Sequence, residues 1–253
     1  MSAFARASDW IATHLPCAAS ACLIEDGSGI ADAPWLVDWA CGHGRHSALA
    51  LARGWRVIAL DRDAEALCGL ERAARQAETA AALRVVNEDL EAPHDAAYWR
   101  QRLRLAVEAT PETSLGLAAE VRSRASPGLA AEATQRRDGV PGIGALLLTC
   151  YLHRASWAML AGLLAPGGWL LHETFAQGHA RYGRPSRAAF LLQPGELLGL
   201  AQRANLAILA YQDGTLEDEH GKPFARVQRI VARKPLRDAC VDPAAGFRLR
   251  SVG

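Results

Sequence analysis

Two glycines set one residue apart follow the first apolar run of the chain and could bring its backbone close to a ligand. The stretch from Asp38 to His46 contains Gly42 and Gly44, and a residue without a side chain lets the backbone turn sharply against a bound molecule. The next apolar run ends in Asp61, seventeen residues beyond Gly44. A carboxylate at that point can accept hydrogen bonds from both hydroxyl groups of a ribose. The spacing therefore predicts a site for a nucleoside-containing cofactor.

The residues around the two glycines favour S-adenosylmethionine over a dinucleotide. In a dinucleotide-binding turn, a third glycine packs the helix against the strand, and the helix N-terminus faces a pyrophosphate. Here the third position is Ser47, and Asp38 lies just ahead of the turn, where a carboxylate would repel a pyrophosphate. The same carboxylate could hold a cationic amine. S-adenosylmethionine carries a ribose, a sulfonium and an ammonium group but no phosphate. A nicotinamide-dependent oxidoreductase is a distant alternative.

The same stretch resembles a known motif. Residues 38–46 are similar to the D-x-A-C-G-x-G-R-H motif of class I S-adenosylmethionine-dependent methyltransferases, in the branch near the tellurite-resistance methyltransferases. Further stretches are similar to that branch: residues 59–63, 89–91, 151–154, 164–168, 173–175, 190–197 and 227–234. The resemblance spans about residues 35–90 and 145–234, and the segment between them departs from the pattern.

The resemblance implies a cofactor role for residues at the ends of four strands. Residues after the first strand would surround the methionine part and the ribose, and those after the second would hold the ribose hydroxyls and flank the adenine. Residues after the third strand would bond the adenine amino group and pack near the ring, and those of the fourth would lie near the sulfonium. S-adenosylhomocysteine would be the product. The implied residues are Asp38, Ala40, Gly42, Gly44, Asp61, Arg62, Asp89, Leu90, Cys150 and Tyr151.

For methyl transfer, the protein would mainly have to position the acceptor, because the methyl group of the cofactor is already activated. Holding the acceptor atom in line with an already activated methyl group can contribute several kcal/mol. A general base is needed only where the nucleophile arrives protonated with a high pKa. An imidazole titrates near neutral pH, so His153 or His179 could be that base. The catalytic candidates follow the fourth and fifth strands: Tyr151, His153, Glu173 and His179, with Arg154, Phe175 and Tyr182 as further residues that could position the acceptor.

Structural interpretations compete with several of these roles. Asp61 could cap the next helix, and Asp89 could make only a turn. Glu173 could bond a backbone amide. Cys41 and His46, with the histidine between them, could be imagined as metal ligands, but a nucleoside-binding turn explains them better. No metal site is therefore expected.

The spacing of apolar runs predicts an α/β fold. From Trp35 onward, short apolar runs alternate with helical stretches, which indicates a doubly wound, mostly parallel seven-stranded sheet of the Rossmann-like methyltransferase type, closed by a C-terminal antiparallel hairpin. Parallel strands are predicted over 35–40, 55–60, 83–86, 145–150 and 169–174, and the hairpin over 206–212 and 225–232, with Asp213-Gly214 in its loop. Helices are predicted over 43–53, 64–79 and 157–164.

Three segments depart from the regular alternation. Residues 1–34 are predicted as an N-terminal helical segment, with a helix over 8–19 capped by Ser8. The methyltransferase domain is expected over 35–234 with an insertion at about 91–144, and 235–253 form a tail. Within the insertion, Tyr98–Val107 and Ser114–Arg124 have helical patterns, whereas 126–128 and 136–144 resemble loops.

Composition limits the partners. The chain has 253 residues, a formal net charge of +1, 50% hydrophobic and 22% charged residues, which is typical of a soluble globular protein. The near-zero charge argues against nucleic acid as a partner, and no stretch reaches the roughly 18 apolar residues of a membrane span. Six cysteines without a C-x-x-C pair indicate reduced thiols and a cytoplasmic location. Only Lys222 and Lys234 are lysine among 28 basic residues, an arginine excess typical of a GC-rich bacterial genome.

These observations predict methyl transfer to a small-molecule acceptor by in-line displacement. Two alternatives from other classes stay open. The first is a non-catalytic S-adenosylmethionine-binding protein with a regulatory or partner role, which would use the insertion as its interaction surface. The second is an RNA or protein methyltransferase, which would need the arginines of the insertion and Arg181, Arg184 and Arg187 to form one basic face. A homodimer or a protein partner is compatible with each.

Overall fold

Strands and helices alternate along the chain as the apolar pattern predicts. The structure is a computed structural model that describes residues 7–21, 34–109 and 143–236. The strands are β1 Trp35–Trp39, β2 Arg56–Asp61, β3 Leu83–Asn87, β4 Ile143–Thr149, β5 Trp169–Phe175, β6 Ala207–Glu217 and β7 Pro223–Arg233. The helices are α1 Asp9–His14, α2 Ala18–Ala21, α3 Arg45–Ala52, α4 Ala64–Gln76, α5 Ala96–Glu108, α6 Arg154–Leu163 and α7 Glu196–Arg203.

The seven strands form one sheet in the order β3-β2-β1-β4-β5-β7-β6. The first five strands are parallel, and β7 is antiparallel to both β5 and β6. The predicted doubly wound fold with a C-terminal antiparallel hairpin is therefore confirmed. Strands β1 and β4 are neighbours in the sheet. From β1 the chain continues to one side, through β2 and β3, and from β4 it continues to the other side, to β5. In such sheets, ligands bind at the carboxyl ends of the strands beside this switch point.

Apolar side chains cover both faces of the sheet because successive strand residues point to opposite sides. On one face, the strands pack with Trp99 of α5 and Trp157 of α6. On the other face, they pack with Ile11 of α1 and Leu70 of α4, in a cluster that also includes Leu51 of α3. The helices thus hold the carboxyl ends of the strands in fixed positions.

The helix that the sequence predicts over 8–19 is shorter in the structure. Helix α1 ends at His14, and the chain then passes through Pro16, which cannot continue a helix because it lacks a backbone N–H. The guanidinium of Arg53 donates hydrogen bonds to the carbonyl oxygens of Ala12 and Leu15 at this helix end. Ser8 precedes the helix, but its side chain does not cap it.

Two further boundaries differ from the prediction. Strand β6 continues through Asp213 and Gly214 to Glu217, so the hairpin turn occupies only 218–222 of the predicted loop. Cys150 lies just beyond β4 with a φ of 55°, and β4 begins at Ile143, within the predicted loop. The helix predicted over Tyr98–Val107 is part of α5. The predicted helix over 114–124, the loop over 126–128 and most of the loop over 136–144 lie outside the described residues.

Candidate functional site

The turn after β1 has a left-handed backbone at three alternate positions. Ala40, Gly42 and Gly44 have φ values of 60°, 53° and 74°. Such values are strained for a residue with a side chain, and backbone strain of this kind is found at ligand sites. The turn is held by the N–H of Cys41, which donates to the carbonyl oxygen of Leu60 at 2.9 Å. The backbone after β1 is therefore fixed against the end of β2.

The two glycines have different surroundings. A Cβ built on Gly42 would meet no atom within 4 Å, so the space beside it is open. A Cβ on Gly44 would lie 2.6 Å from the side chain of Leu70. Gly42 thus leaves room for a ligand, whereas Gly44 allows the start of α3 to pack closely on α4.

Asp61 joins the turns that follow β1 and β2. Its Oδ2 accepts a hydrogen bond from the Gly42 N–H at 2.7 Å, and its Oδ1 accepts one from the Asp63 N–H at 2.9 Å. Asp63, not Asp61, caps α4, because its carboxylate accepts from the N–H groups of Glu65 and Ala66. This resolves the competing interpretation of Asp61 as a helix cap and leaves its carboxylate at the mouth of the turn.

A cleft of about 300 Å³ opens at the carboxyl ends of the strands. It is polar and acidic, since three carboxylates and one guanidinium contribute to its wall. The cleft is lined by Ala40, Asp61, Arg62, Asp89, Leu90, Glu91, Thr149, Cys150 and Tyr151. Seven of these were predicted, whereas Glu91 and Thr149 were not. Each of the two lies next to a predicted residue at a strand end, which is the signal that could have found them.

Asp38 does not line the cleft. Its side chain is fully buried, and its Oδ2 accepts a hydrogen bond from Ser47 Oγ at 2.6 Å. Oδ1 has no partner among the described residues. Burial raises the pKa of this carboxyl from 3.8 to about 6. Asp38 therefore ties β1 to α3 behind the glycine turn and does not face the open space where a ligand would bind.

Tyr151 spans the cleft from β4 to the loop after β3. Its hydroxyl donates to the carbonyl oxygen of Leu90 at 3.4 Å, and burial raises its pKa above the ordinary value of 10. Its own carbonyl oxygen accepts from His172 Nε2 at 3.0 Å, while His172 Nδ1 accepts from Trp157 Nε1 at 3.1 Å. The buried imidazole thus anchors the Tyr151 backbone from below the cleft.

Two histidines that the sequence suggests as bases have other partners. His179 is buried, its Nδ1 accepts from the Arg226 N–H at 3.2 Å, and its Nε2 donates to the carbonyl oxygen of Arg184 at 3.2 Å. Both ring nitrogens therefore support the loop after β5. His153 lies at the start of α6 with its Nδ1 3.0 Å from Ser156 Oγ. Neither histidine is among the described residues that line the cleft.

The other predicted side chains at or beyond the ends of β4 and β5 do not line the cleft but bind the elements around it. Glu173 is buried at the end of β5, and its Oε2 accepts from Ser8 Oγ at 2.7 Å. Arg154 binds both carboxylate oxygens of Glu196 and thereby ties α6 to α7. The ring of Phe175 packs at 4.1 Å from that of His179, so it belongs to the same support, and Tyr182 lies beyond it.

Neither a metal-binding cluster nor a membrane-spanning helix is found in the described part of the chain. Across 7–21, 34–109 and 143–236, no group of three or more His, Cys, Asp or Glu side chains is arranged to hold a metal ion. In the same three stretches, no helix has the length and apolar character that crossing a membrane requires. The described cysteines, Cys17, Cys41, Cys68 and Cys150, are free thiols.

The comparisons with known proteins identify the fold class. No family model matches the chain, and no curated protein is significantly similar to it. Among solved structures, TehB from Haemophilus influenzae is similar with a TM-score of 0.50 and 15% identity, and the match covers 89% of this chain and 60% of TehB. The chain thus spans less than two thirds of that protein. This chain has the Rossmann-like fold of class I methyltransferases, and the resemblance predicted from the sequence is confirmed for the fold.

Two other solved structures match less well. An S-adenosylmethionine-dependent methyltransferase from Methanosarcina mazei has 15% identity and a TM-score of 0.48, over 80% of this chain and 93% of its own. A geranyl diphosphate C-methyltransferase from Streptomyces coelicolor, solved with S-adenosylhomocysteine, has 16% identity and a TM-score of 0.48, over 79% of this chain and 73% of its own.

Proposed function

We propose that this protein binds S-adenosylmethionine and transfers its methyl group to a small-molecule acceptor. The observation that carries the proposal is the placement of Asp61. Its carboxylate lies at the end of β2, is held by the Gly42 N–H at 2.7 Å and lines the cleft beside the switch point. A carboxylate in this position can accept both hydroxyl hydrogens of a ribose.

The charged groups that line the cleft fit S-adenosylmethionine better than a dinucleotide. Asp61, Asp89 and Glu91 bring three carboxylates to the wall against the single guanidinium of Arg62. This acidic surface would repel a pyrophosphate, but it can hold ribose hydroxyls, an adenine amino group and a cationic centre. The open space at Gly42 leaves room for such a ligand, since an added Cβ there meets no atom within 4 Å.

The proposed cofactor would lie along the line of strand ends. Asp61 would hold the ribose, with Asp89 and Leu90 at the adenine end and Cys150 at the opposite end. Tyr151 would lie beside the ligand, since it begins next to Cys150 and its hydroxyl reaches the Leu90 carbonyl oxygen. Bound S-adenosylmethionine would supply a methyl group already activated on a sulfonium. The protein's part is then to bind and orient, which can contribute several kcal/mol when the acceptor atom is held in line with the reacting bond.

Tyr151 is the residue that we propose for orienting the acceptor. Its hydroxyl is protonated near neutral pH, because its ordinary pKa of 10 is raised further by burial. It is therefore a hydrogen-bond donor rather than a base, and it would turn its hydrogen from the Leu90 carbonyl oxygen to the acceptor. Glu173, whose Oε2 accepts from Ser8 Oγ, lies at the end of the neighbouring strand β5. His153 stays a candidate base at the start of α6. For His179 we propose a supporting role, because both ring nitrogens bind backbone groups.

Calorimetric titration with S-adenosylmethionine, S-adenosylhomocysteine and NAD tests the proposal. We expect micromolar binding of both adenosyl compounds and none of NAD. Asp61→Ala should weaken binding of S-adenosylhomocysteine at least about tenfold, which corresponds to roughly 1.4 kcal/mol. Asp63→Asn is the matched control, since it removes a carboxylate two residues away and keeps a side chain that can cap α4.

The proposal fails if neither adenosyl compound binds, or if Asp61→Ala binds S-adenosylhomocysteine as tightly as Asp63→Asn does. A screen of small-molecule acceptors against the wild-type protein follows binding. Its readout is the acceptor-dependent release of S-adenosylhomocysteine.

A further inference from the structure

Three polar side chains form a row that crosses the carboxyl ends of β4 and β5 and continues onto the antiparallel strand β7. Thr149 is paired with Glu173 in the sheet, and Glu173 is paired with Arg229. Glu173 Oε2 lies 3.5 Å from Arg229 Nη1. Thr149 and Glu173 are 8% and 7% exposed, so their hydrogen bonds are largely shielded from water. Thr149 also lines the cleft, so it is the residue of this row that a bound ligand would contact.

The N-terminal segment contacts this row through Ser8 and through Trp10, whose ring centroid lies 5.4 Å from the guanidinium carbon of Arg229. Ser8 Oγ donates to Glu173 Oε2 at 2.7 Å, and the Ser8 backbone N–H donates to His46 Nε2 at 3.1 Å. His46, on α3, is 1% exposed, and its Nδ1 lies 3.1 Å from Thr149 Oγ1. A continuous chain of hydrogen bonds therefore runs from Ser8 through His46 to Thr149.

The backbone N–H of Ser8 sets the direction of these hydrogen bonds. A backbone N–H can only donate, so His46 Nε2 must carry no hydrogen. Burial lowers the pKa of His46 from 6.5 to about 4, so the ring is neutral at neutral pH and has a single N–H. That hydrogen must lie on Nδ1, which then donates to Thr149 Oγ1.

Thr149 is thereby left with a hydroxyl hydrogen to donate. Its Oγ1 accepts from His46, and no second hydrogen-bond partner of this hydroxyl is present among the residues that the structure describes. Thr149 can therefore donate this hydrogen to a ligand atom that carries a lone pair. A threonine oxygen has two lone pairs, and one of them stays open beside the hydrogen bond from His46.

The position of Thr149 along the cleft indicates which part of the ligand it meets. The strand order places Asp89, Asp61 and Thr149 at the carboxyl ends of β3, β2 and β4, with the end of β1 between the last two. If the ribose binds Asp61 and the adenine lies toward Asp89, the methionyl chain extends toward β4. The lone-pair group at that end is the methionyl carboxylate.

We propose that Thr149 donates a hydrogen bond to the methionyl carboxylate of the cofactor, and that Ser8 and His46 are positioning residues that set the direction of this donor. The inference rests on the proposed function for the identity of the ligand. We call the hydrogen bonds that join Ser8, His46 and Thr149 the relay. The relay can be measured without any ligand, so the relay and the proposed function can fail separately.

The backbone at Ser8 allows its N–H to be removed selectively. Ser8 has a φ of −59°, which proline adopts without rearrangement. Ser8→Pro removes both the N–H and the hydroxyl, whereas Ser8→Ala removes only the hydroxyl. The difference between these two variants therefore reports on the hydrogen bond from the backbone to His46.

Nitrogen-15 NMR of the imidazole measures the relay in the protein without ligand, with the His46 signals assigned from His46→Asn. We expect hydrogen on Nδ1 in the wild type and in Ser8→Ala, and a mixture of tautomers in Ser8→Pro. A wild-type ring with hydrogen on Nε2, or identical spectra for the two Ser8 variants, would overturn the relay.

Calorimetry measures the contact with the ligand. Thr149→Val should weaken S-adenosylhomocysteine about tenfold or more, as expected for loss of a hydrogen bond to a charged group. Thr149→Ser keeps the hydroxyl and should bind normally. Binding of 5′-methylthioadenosine, which lacks the methionyl carboxylate, should be the same in all three proteins.

An equal loss of both ligands in Thr149→Val, or no loss of either, would overturn the assignment to the carboxylate. Absence of S-adenosylhomocysteine binding in the wild type would instead refute the proposed function. The tautomer measurement would in that case still decide whether Ser8 sets the direction of the Thr149 hydroxyl.

Discussion

Gly42 and Gly44 share a left-handed backbone, yet substitutions at the two positions should have different effects. Valine at position 42 would extend into the open space of the turn, since a Cβ there meets no atom of the described protein within 4 Å. We expect Gly42→Val to lower S-adenosylhomocysteine affinity at least about tenfold, with only the stability loss of a strained φ, on the order of 1 kcal/mol.

Gly44→Ala should instead destabilise the fold. Its Cβ would lie 2.6 Å from the Leu70 side chain, and overpacking of this kind costs about 1–3 kcal/mol in addition to the strained φ. Denaturant unfolding and calorimetry on both variants separate the two effects. Gly69→Ala, in open space on α4, is the control and should be neutral or stabilising. Equal loss of binding and stability in both variants would contradict the distinction.

At the scale of elements, helix α1 is stabilised by contacts at its C-terminal end rather than by its own backbone hydrogen bonds. It has only six residues, which is too short for a stable isolated helix. Arg53 binds the carbonyl oxygens of Ala12 and Leu15, and Trp55 Nε1 donates to that of Pro16 at 2.8 Å. The side chains of Trp10 and Ile11 are buried against the sheet.

We therefore expect Arg53→Lys to loosen α1, because an ammonium cannot reproduce the two-pronged contact of the guanidinium. The expected loss is about 1–2 kcal/mol for two hydrogen bonds from a charged donor. Hydrogen exchange of residues 9–14 should accelerate more than exchange in β1. Arg72→Lys on the exposed side of α4 is the control. Unchanged protection of α1 would show that apolar packing alone holds it.

At the scale of the whole molecule, buried ionisable groups give opposing pH dependences of stability. The pKa of Asp38 rises from 3.8 to about 6 in the folded state, so its contribution is complete below 3.8 and is lost as the pH rises through 6. The pKa values of His46 and His172 fall from 6.5 to about 4 because both rings are buried. Their contribution is complete above 6.5 and is lost as the pH falls through about 4.

Asp38→Asn should separate these contributions, since asparagine stays neutral and can still accept from Ser47 Oγ. Relative to the wild type, the variant should gain roughly 3 kcal/mol of unfolding free energy between pH values below 3.8 and above 6. Denaturant unfolding across this range measures the difference. A difference that stays constant with pH would contradict the prediction, because it would mean that folding does not raise the pKa of Asp38.

Much of the fold could be predicted because its cause is local. The alternation of apolar runs from Trp35 sets the strands, and the cap at Asp63 sets the start of α4. The site was predictable where a strand end coincides with a motif, as at Asp61. The polar environment of a side chain is not local, so the sequence could not distinguish a ligand-facing Asp38 from one that binds Ser47, nor a free His179 from one bonded to the backbone of residues 184 and 226.

The sheet order has a consequence for how the protein is made. Strand β7 lies between β5 and β6, although it leaves the ribosome after both of them. Until it emerges, the nascent chain carries the apolar β5 with one edge unpaired, and such edges invite aggregation. Arg229, which completes the polar row beside the cleft, arrives on that same strand. Protection from aggregation and completion of this row therefore occur in a single late step of synthesis.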